Sequence, residues 1–371
     1  MKFKLLIIFS SFFVLTNCNK DNLLESDPTN SWISELASIY DSNGQYELEY
    51  LSENQGYLAV GFNNIIEISK DGMLLSYKEG IFTKESFRSQ KRVYNNSIFS
   101  FSTTNRFSEY NANDKVNLNI YNISGDLIES TELNTTGILF DVEMESENIY
   151  GMLLYDPDNT TMSIKRIDKN RGIISEAVLD RTGTSPTNLH ISENSNYLCT
   201  ASSNDNNFHY LDSNLNSLIS KTFKDLTISD AEVVEDRGIF IAGSVAFSDD
   251  NYVAIVSFNG DIIKEVFFES KERHIDDLII NDQDLAISEC EGEERLNFRL
   301  SCLSLDLETN FILNTTGYLA GSNLVINENN GYTYMNGAKT DSIEDTFYSL
   351  SHPRFIKLNI DCREPENYII Q

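Results

Sequence analysis

The chain is poor in positive charge: 28 lysines and arginines stand against 57 aspartates and glutamates, a formal net charge of −29. That balance repels nucleic acid and anionic lipid headgroups, because binding a phosphate backbone requires the opposite sign. Proline is scarce at five residues, which excludes a disordered stalk or a mucin-like linker. The four histidines, His190, His209, His274 and His352, are scattered without HxH or HxxxH spacing, so metal catalysis has no support. No two cysteines form a CxxC pair, which removes zinc-ribbon and thioredoxin-like chemistry. The apolar run from Leu5 to Leu15 has about half of the ~20 residues that a membrane-spanning helix needs.

That run has a different use. Lys2 and Lys4 give a short basic start, the apolar stretch follows, and Leu15-Thr16-Asn17-Cys18 closes it, the layout of a signal peptide over residues 1–17. The closing tetrad resembles the bacterial lipobox, which implies acylation (palmitate among the chains) of Cys18 as the first mature residue. Cleavage by the general signal peptidase beside an incidental cysteine is the other reading. Residues 18–30 form a polar tether, and Asn19-Lys20-Asp21-Asn22 with Glu25 and Asp27 resembles the charged tether of Bacteroidota surface lipoproteins. Removing the leader takes the net charge to about −31, so membrane attachment should rest on the acyl chains at Cys18.

The remainder, 31–371, is self-similar. An acidic-or-amide pair followed by an apolar run recurs as Glu53-Asn54, Asn95-Asn96, Glu147-Asn148, Glu193-Asn194, Glu235-Asp236, Asn281-Asp282 and Glu328-Asn329. The spacings are 42, 52, 46, 42, 46 and 47 residues. Periods of 40 to 50 built from short strands mark propeller blades, so the sequence predicts an all-β, seven-bladed β-propeller of four-stranded antiparallel blades. In the interval Ser229–Phe268, strands are expected at Ala231–Val234, Ile239–Ala242, Tyr252–Phe258 and Ile262–Phe268. Asn259-Gly260 serves as a hairpin turn with positive φ at both central positions. The outer strands are expected to alternate polar residues and solvate the ring.

Gly56-Tyr57-Leu58-Ala59-Val60-Gly61 and Gly238-Ile239-Phe240-Ile241-Ala242-Gly243 resemble the repeats of bacterial surface and secreted β-propellers of the GGYILAG/LDxxGN type. The resemblance implies the fold and is silent on function. Trp32 is the only tryptophan, so Asp-box and quinone-cofactor propellers are excluded, and no cofactor is expected. Two segments could complete the last blade. Trp32–Tyr40 is preferred as a clasp, although its Trp32, Leu36 and Ile39 also suit a short helix, and Tyr368–Gln371 is the local alternative.

Candidate sites are few. A hairpin centred near Leu296 would set Cys290 across from Cys302 as a disulfide, with two buried free thiols as the other reading. Asp156–Thr160 and Ser248–Asn251 are acidic loops without EF-hand spacing and read as solvated turns unless other blades contribute calcium ligands, so no metal site is expected. No carboxylate spacing singles out a catalytic pair, and Arg88, Arg92, Arg106, Arg166 and Arg299 share no blade position. Phe107 and Tyr110, in the polar loop Asn105–Lys115, are candidate contacts for a protein or glycan partner. The expected function is a non-catalytic binding or scaffold lipoprotein of the outer membrane. An accessory subunit of an outer-membrane assembly or transport machine, or an exported glycan-active enzyme, is the alternative.

Overall fold

The computed structural model describes residues 32–35, 46–51, 56–82, 89–103, 114–179, 185–202, 206–223, 225–245, 248, 250–269, 273–282, 284–291, 297–318, 324–327, 331–338 and 352–357. Cys18, Phe107, Tyr110 and Tyr368–Gln371 lie outside them. Strand β1 is Trp32–Glu35. Four-stranded antiparallel sheets then follow in chain order. The first is β2–β5 (Tyr46–Leu51, Gly56–Gly61, Asn64–Ser69, Leu74–Glu79). The second is β6–β9 (Ser89–Tyr94, Ser97–Thr103, Lys115–Asn122, Leu127–Thr136). The third is β10–β13 (Ile138–Ser146, Ile149–Asp156, Thr161–Asp168, Gly172–Leu179). The fourth is β14–β17 (Ser185–Ile191, Tyr197–Ser202, Asn206–Leu211, Ser217–Phe223). The fifth is β18–β21 (Leu226–Val234, Gly238–Val245, Asp250–Val256, Ile262–Glu269).

The sixth sheet has eight strands. Strands β22–β25 (Arg273–Ile280, Asp284–Glu291, Asn297–Ser304, Thr309–Tyr318) continue into β27 (Tyr332–Ala338), β28 (His352–Lys357) and β1, with β26 (Val325–Ile326) alongside β27. The fold is therefore an all-β propeller of four-stranded antiparallel blades, but with six separate sheets rather than the seven expected. The physical reason is local: Gly317↔Ala338 and Tyr318↔Gly337 pair β25 with β27 and fuse two groups of four strands into one.

Each repeated dipeptide lies in sequence between the first two strands of its group. Asn95 and Asn96 take φ of 47° and 59°, a left-handed pair that amides tolerate, and they are the one described pair of the series that does so. The hairpin between third and fourth strands differs from expectation. At Asn259-Gly260 only the glycine takes positive φ, 82°, and Gly260 N–H donates to the Ser257 carbonyl. A register shift at Ile255/Val256 completes a bulged turn. Leu215 and Leu307 hold positive φ before the fourth strands of their sheets. Burial of both side chains offsets the ~1–2 kcal/mol that a left-handed residue costs.

Second strands such as β3 and β7 are buried on both faces because sheets stack around an axis. Every core cluster consequently draws from neighbouring sheets, as where Phe99, Phe101 and Val116 meet Tyr150, Met152 and Leu154. The ring closes in the same way. Val325 and Phe355 pack into the first sheet's core, and the Phe355 ring meets Tyr57 edge-on at 4.7 Å. The clasp expectation holds over Trp32–Glu35, a strand paired antiparallel with β28 from Trp32↔Lys357 to Glu35↔Arg354.

Two further expectations are corrected. Fourth strands do not simply alternate polar residues: Leu75, Ile128, Ile174, Leu218, Ile263 and Ile312 are all exposed on them. The β23–β24 hairpin is centred two residues earlier than Leu296, with Cys290 opposite Phe298 and Cys302 opposite Ala286. That register sets the two cysteines four positions apart along neighbouring strands, roughly 13 Å, beyond disulfide reach. Cys302 is nonetheless disulfide-bonded, and Cys199 is a buried free thiol.

Candidate functional site: an acid-lined channel

First strands of successive sheets neighbour one another around the axis, from β2 through β6, β10, β14 and β18 to β22, and β26 returns to β2. Polar side chains on these strands therefore meet at the centre. Glu47, Arg92, Asp141, Asn188, Asp230 and Asp277 occupy one level, one from each sheet. Two residues further along, Glu49, Glu143, His190 and Glu232 form a second level on β2, β10, β14 and β18.

Backbone bulges set the aspartates. Register shifts at Leu139/Asp141, Ile228/Asp230 and Ile275/Asp277 turn each carboxylate toward the next first strand. Asp141 accepts the Leu189 N–H at 2.8 Å, Asp230 accepts the Leu278 N–H at 2.8 Å, and Asp277 accepts the Leu324 N–H. The first two are sheet-to-sheet staples, and the third makes the equivalent bond within the eight-stranded sheet. Asn188 extends the pattern by donating to the Ser229 carbonyl at 3.0 Å and to Asp230 Oδ1 at 2.8 Å.

Arg92 bridges three sheets. Its guanidinium reaches Asp141 at 2.8 Å, Glu143 at 3.0 Å and Glu47 at 3.4 Å. His190 Nε2 lies 2.8 Å from Asp230 Oδ1. Side chains of Arg92, Glu47, Glu143 and His190 are 17, 21, 28 and 32 % exposed. Seven carboxylates thus share a confined space with two cations.

Water-poor surroundings decide the protonation. Burial pushes Glu47 up to about 7 against the pull of Arg92, with Glu143 and Asp141 adding to the rise. Burial also lifts Glu49 to about 7, reinforced by Glu47 and Glu143, and lifts Glu232 to about 8. Glu143 is raised by burial in spite of Arg92. Burial alone would lower His190, but the Asp230 carboxylate, followed by Glu143 and Glu232, carries it up to about 10. Asp277 is raised by burial and by Asp230, so it holds a proton and donates it to Asp230. Asp230 stays ionised because His190 outweighs its own burial.

Sequence reasoning missed this site. The channel position recurs at separations such as 45, 49 and 42 residues, close to the blade period. It is filled by Glu, Arg, Asp, Asn, Asp and Asp in successive sheets, so no single motif marks it. Of the described arginines considered, only Arg92 reaches the channel network. Arg166 pairs with Glu145 at 2.6 Å, Arg299 forms a buried pair with Glu289, and Arg88 and Arg106 lie outside the described residues. In the acidic loop at Asp156, the carboxylate accepts the N–H groups of Asp158 and Asn159 at 2.9 and 3.2 Å, an ordinary turn. Among the described residues no three His, Cys, Asp or Glu side chains converge as metal ligands.

A scan of protein-family models and a search of curated proteins found no match to this chain. Solved structures do resemble it in fold. The Dos1 propeller aligns over 87 % of this chain and 82 % of its own, with TM-score 0.53 and 12 % identity. A protein of unknown function from Bacteroides caccae covers 73 % of this chain and 94 % of its own, at TM-score 0.46 and 11 % identity. The class is a β-propeller, and identities this low establish nothing beyond that.

Proposed function

We propose that the chain is a non-catalytic binding module of the cell envelope, anchored to the outer membrane through acylated Cys18. The observation that favours binding over catalysis is the condition of the channel's strongest acid–base pair. Asp230 and Asp277 share a proton beside His190, but the Asp230 side chain is only 1 % exposed and is committed to backbone N–H groups. A substrate could not reach it. A second reading, acid–base chemistry on a glycan, would rest on Glu143 and Glu232, whose carboxyls burial raises. Service as an accessory subunit of an outer-membrane machine fits the module reading equally well.

The eight-stranded sheet is read here as two blades, β22–β25 and β26–β27–β28–β1, giving seven in all. Two residue pairs join the halves, β1 holds the outer position that β5 or β21 holds elsewhere, and the Asp277–Leu324 bond repeats the staple between separate sheets.

Two measurements test the proposal. Cys18→Ala should release the protein from the membrane fraction and abolish incorporation of a fatty-acid analogue. A membrane-bound mutant, with no label on the wild type, would defeat the anchor. Detergent-solubilised wild type should co-purify with a defined partner and leave polysaccharides intact; hydrolysis that depends on Glu143 would make it an enzyme instead.

A further inference from the structure

Among the described residues, Glu49 and Glu232 are the two channel glutamates that form no ion pair, although His190 acts on Glu232 from a distance. Arg92 is engaged by Glu47, Asp141 and Glu143, and His190 by Asp230. Asp141, Asp230 and Asp277 are bound to the N–H groups of the next first strand. Glu232 gives one oxygen to the backbone at Ile280, while its Oε2, shut off from solvent, accepts no hydrogen bond. An orphaned buried carboxylate oxygen is costly and rare, and it points to a donor that the chain itself does not supply.

We propose that the channel binds an organic cation whose ammonium groups meet Glu49, Glu143 and Glu232. The inference rests on the reading of the chain as a binding module. The three glutamates stand at one level on β2, β10 and β18, alternate sheets of the ring, while β6 and β14 place Tyr94 and His190 between them. Among the described residues these acids do not converge on a point, which disfavours a single metal ion. Distributed charge suits a ligand with several separated ammonium groups, either a free polyamine or the lysine side chains of a peptide. Three classes of partner group face the glutamates: Glu47 on β2, Arg92 on β6 with Asp141 on β10, and His190 on β14 with Asp230 on β18 and Asp277 on β22.

Entry of the ligand has a proton balance. Glu49 and Glu232 are largely protonated at and below about 7 and 8 respectively, so each ammonium that docks displaces a proton to solvent. Affinity should therefore rise with pH over that range.

Calorimetry on the full chain in detergent, with spermidine as the free-amine probe and tetralysine as the peptide probe, tests this. Saturable binding of either is expected, at least tenfold tighter at pH 8.5 than at pH 6 and with proton release. Binding of spermidine alone assigns a free amine, and preference for tetralysine assigns a peptide. Glu49→Gln with Glu232→Gln should weaken binding at least tenfold without lowering the melting temperature, and His190→Asn should strengthen it by removing a resident positive charge. Absence of saturable binding at pH 8.5, an unaffected double variant, or displacement by equimolar calcium would overturn the proposal. Failure of this kind in a folded protein leaves the module reading intact, because that reading is tested by co-purification.

Discussion

Replacing Arg92 with methionine should destabilise the protein by roughly 3–5 kcal/mol, the range for breaking one side of a buried ion cluster. Among the described residues the guanidinium is the only group that pairs with Glu47, Asp141 and Glu143 together, and it links three successive sheets. Methionine fills much the same volume, so the loss reports charge rather than packing. The penalty should depend on pH. Near pH 5 Glu47 takes up a proton and tolerates the missing cation, whereas at pH 8 it must ionise unpaired, and burial raises Glu143 in the same direction. Adding Glu47→Gln and Glu143→Gln should recover most of the lost stability at pH 8. Denaturant titration of the single and triple variants at both pH values checks this. A loss below about 1 kcal/mol at pH 8 would mean that the three carboxylates are solvated and the channel is open to bulk water.

Deleting Ser31–Tyr40 should be comparably severe. Strand β1 covers the outer edge of β28 through four paired residues, and it ties the chain's beginning to its last sheet. Without it the β28 edge is unpaired, a template for association with other chains, and the closing contact between Phe355 and Tyr57 loses its support from outside. The expected result is a fall in melting temperature of about 10 °C or more, consistent with a loss of several kcal/mol in a domain of this size, with oligomers appearing on gel filtration. Removing Tyr368–Gln371 should have little effect. Mild consequences from the first deletion and severe ones from the second would assign closure to the C-terminus.

The sequence carried the periodic part of the fold well. The pairs announce the hairpin between first and second strands because polar turn-forming residues recur there, and at Asn95-Asn96 both residues take left-handed geometry. The clasp was legible because a ring has an edge to cover. What escaped depends on relations longer than one repeat. The junction at Gly317 and Tyr318 follows from a pairing past the end of a strand, which no periodicity encodes. A two-residue error in the centre of one hairpin was enough to misplace Cys302 relative to Cys290. The channel is the clearest case. Glu49 and Glu232 look like any other members of an abundant acidic set, and only closure of the ring removes them from bulk water.

That last statement is the central claim, and a melting curve against pH tests it most directly. Glu47, Glu49 and Glu232 have folded-state values of about 7, 7 and 8, above the 4.5 of an ordinary glutamate, and His190 is raised from 6.5 to about 10. In each case the folded state binds more protons than the unfolded chain, so stability is greatest below the ordinary value of the group. It falls as pH rises toward the folded value. General repulsion at a net charge of −29 has the same direction, so the wild-type slope alone does not isolate the channel. Glu232→Gln does, because glutamine reproduces the protonated acid and cannot ionise. Its melting temperature should match the wild type at pH 5.5 and exceed it by several degrees at pH 8.5. Equal melting temperatures at pH 8.5, or a variant less stable than the wild type at both pH values, would contradict an acid-lined channel shielded from water.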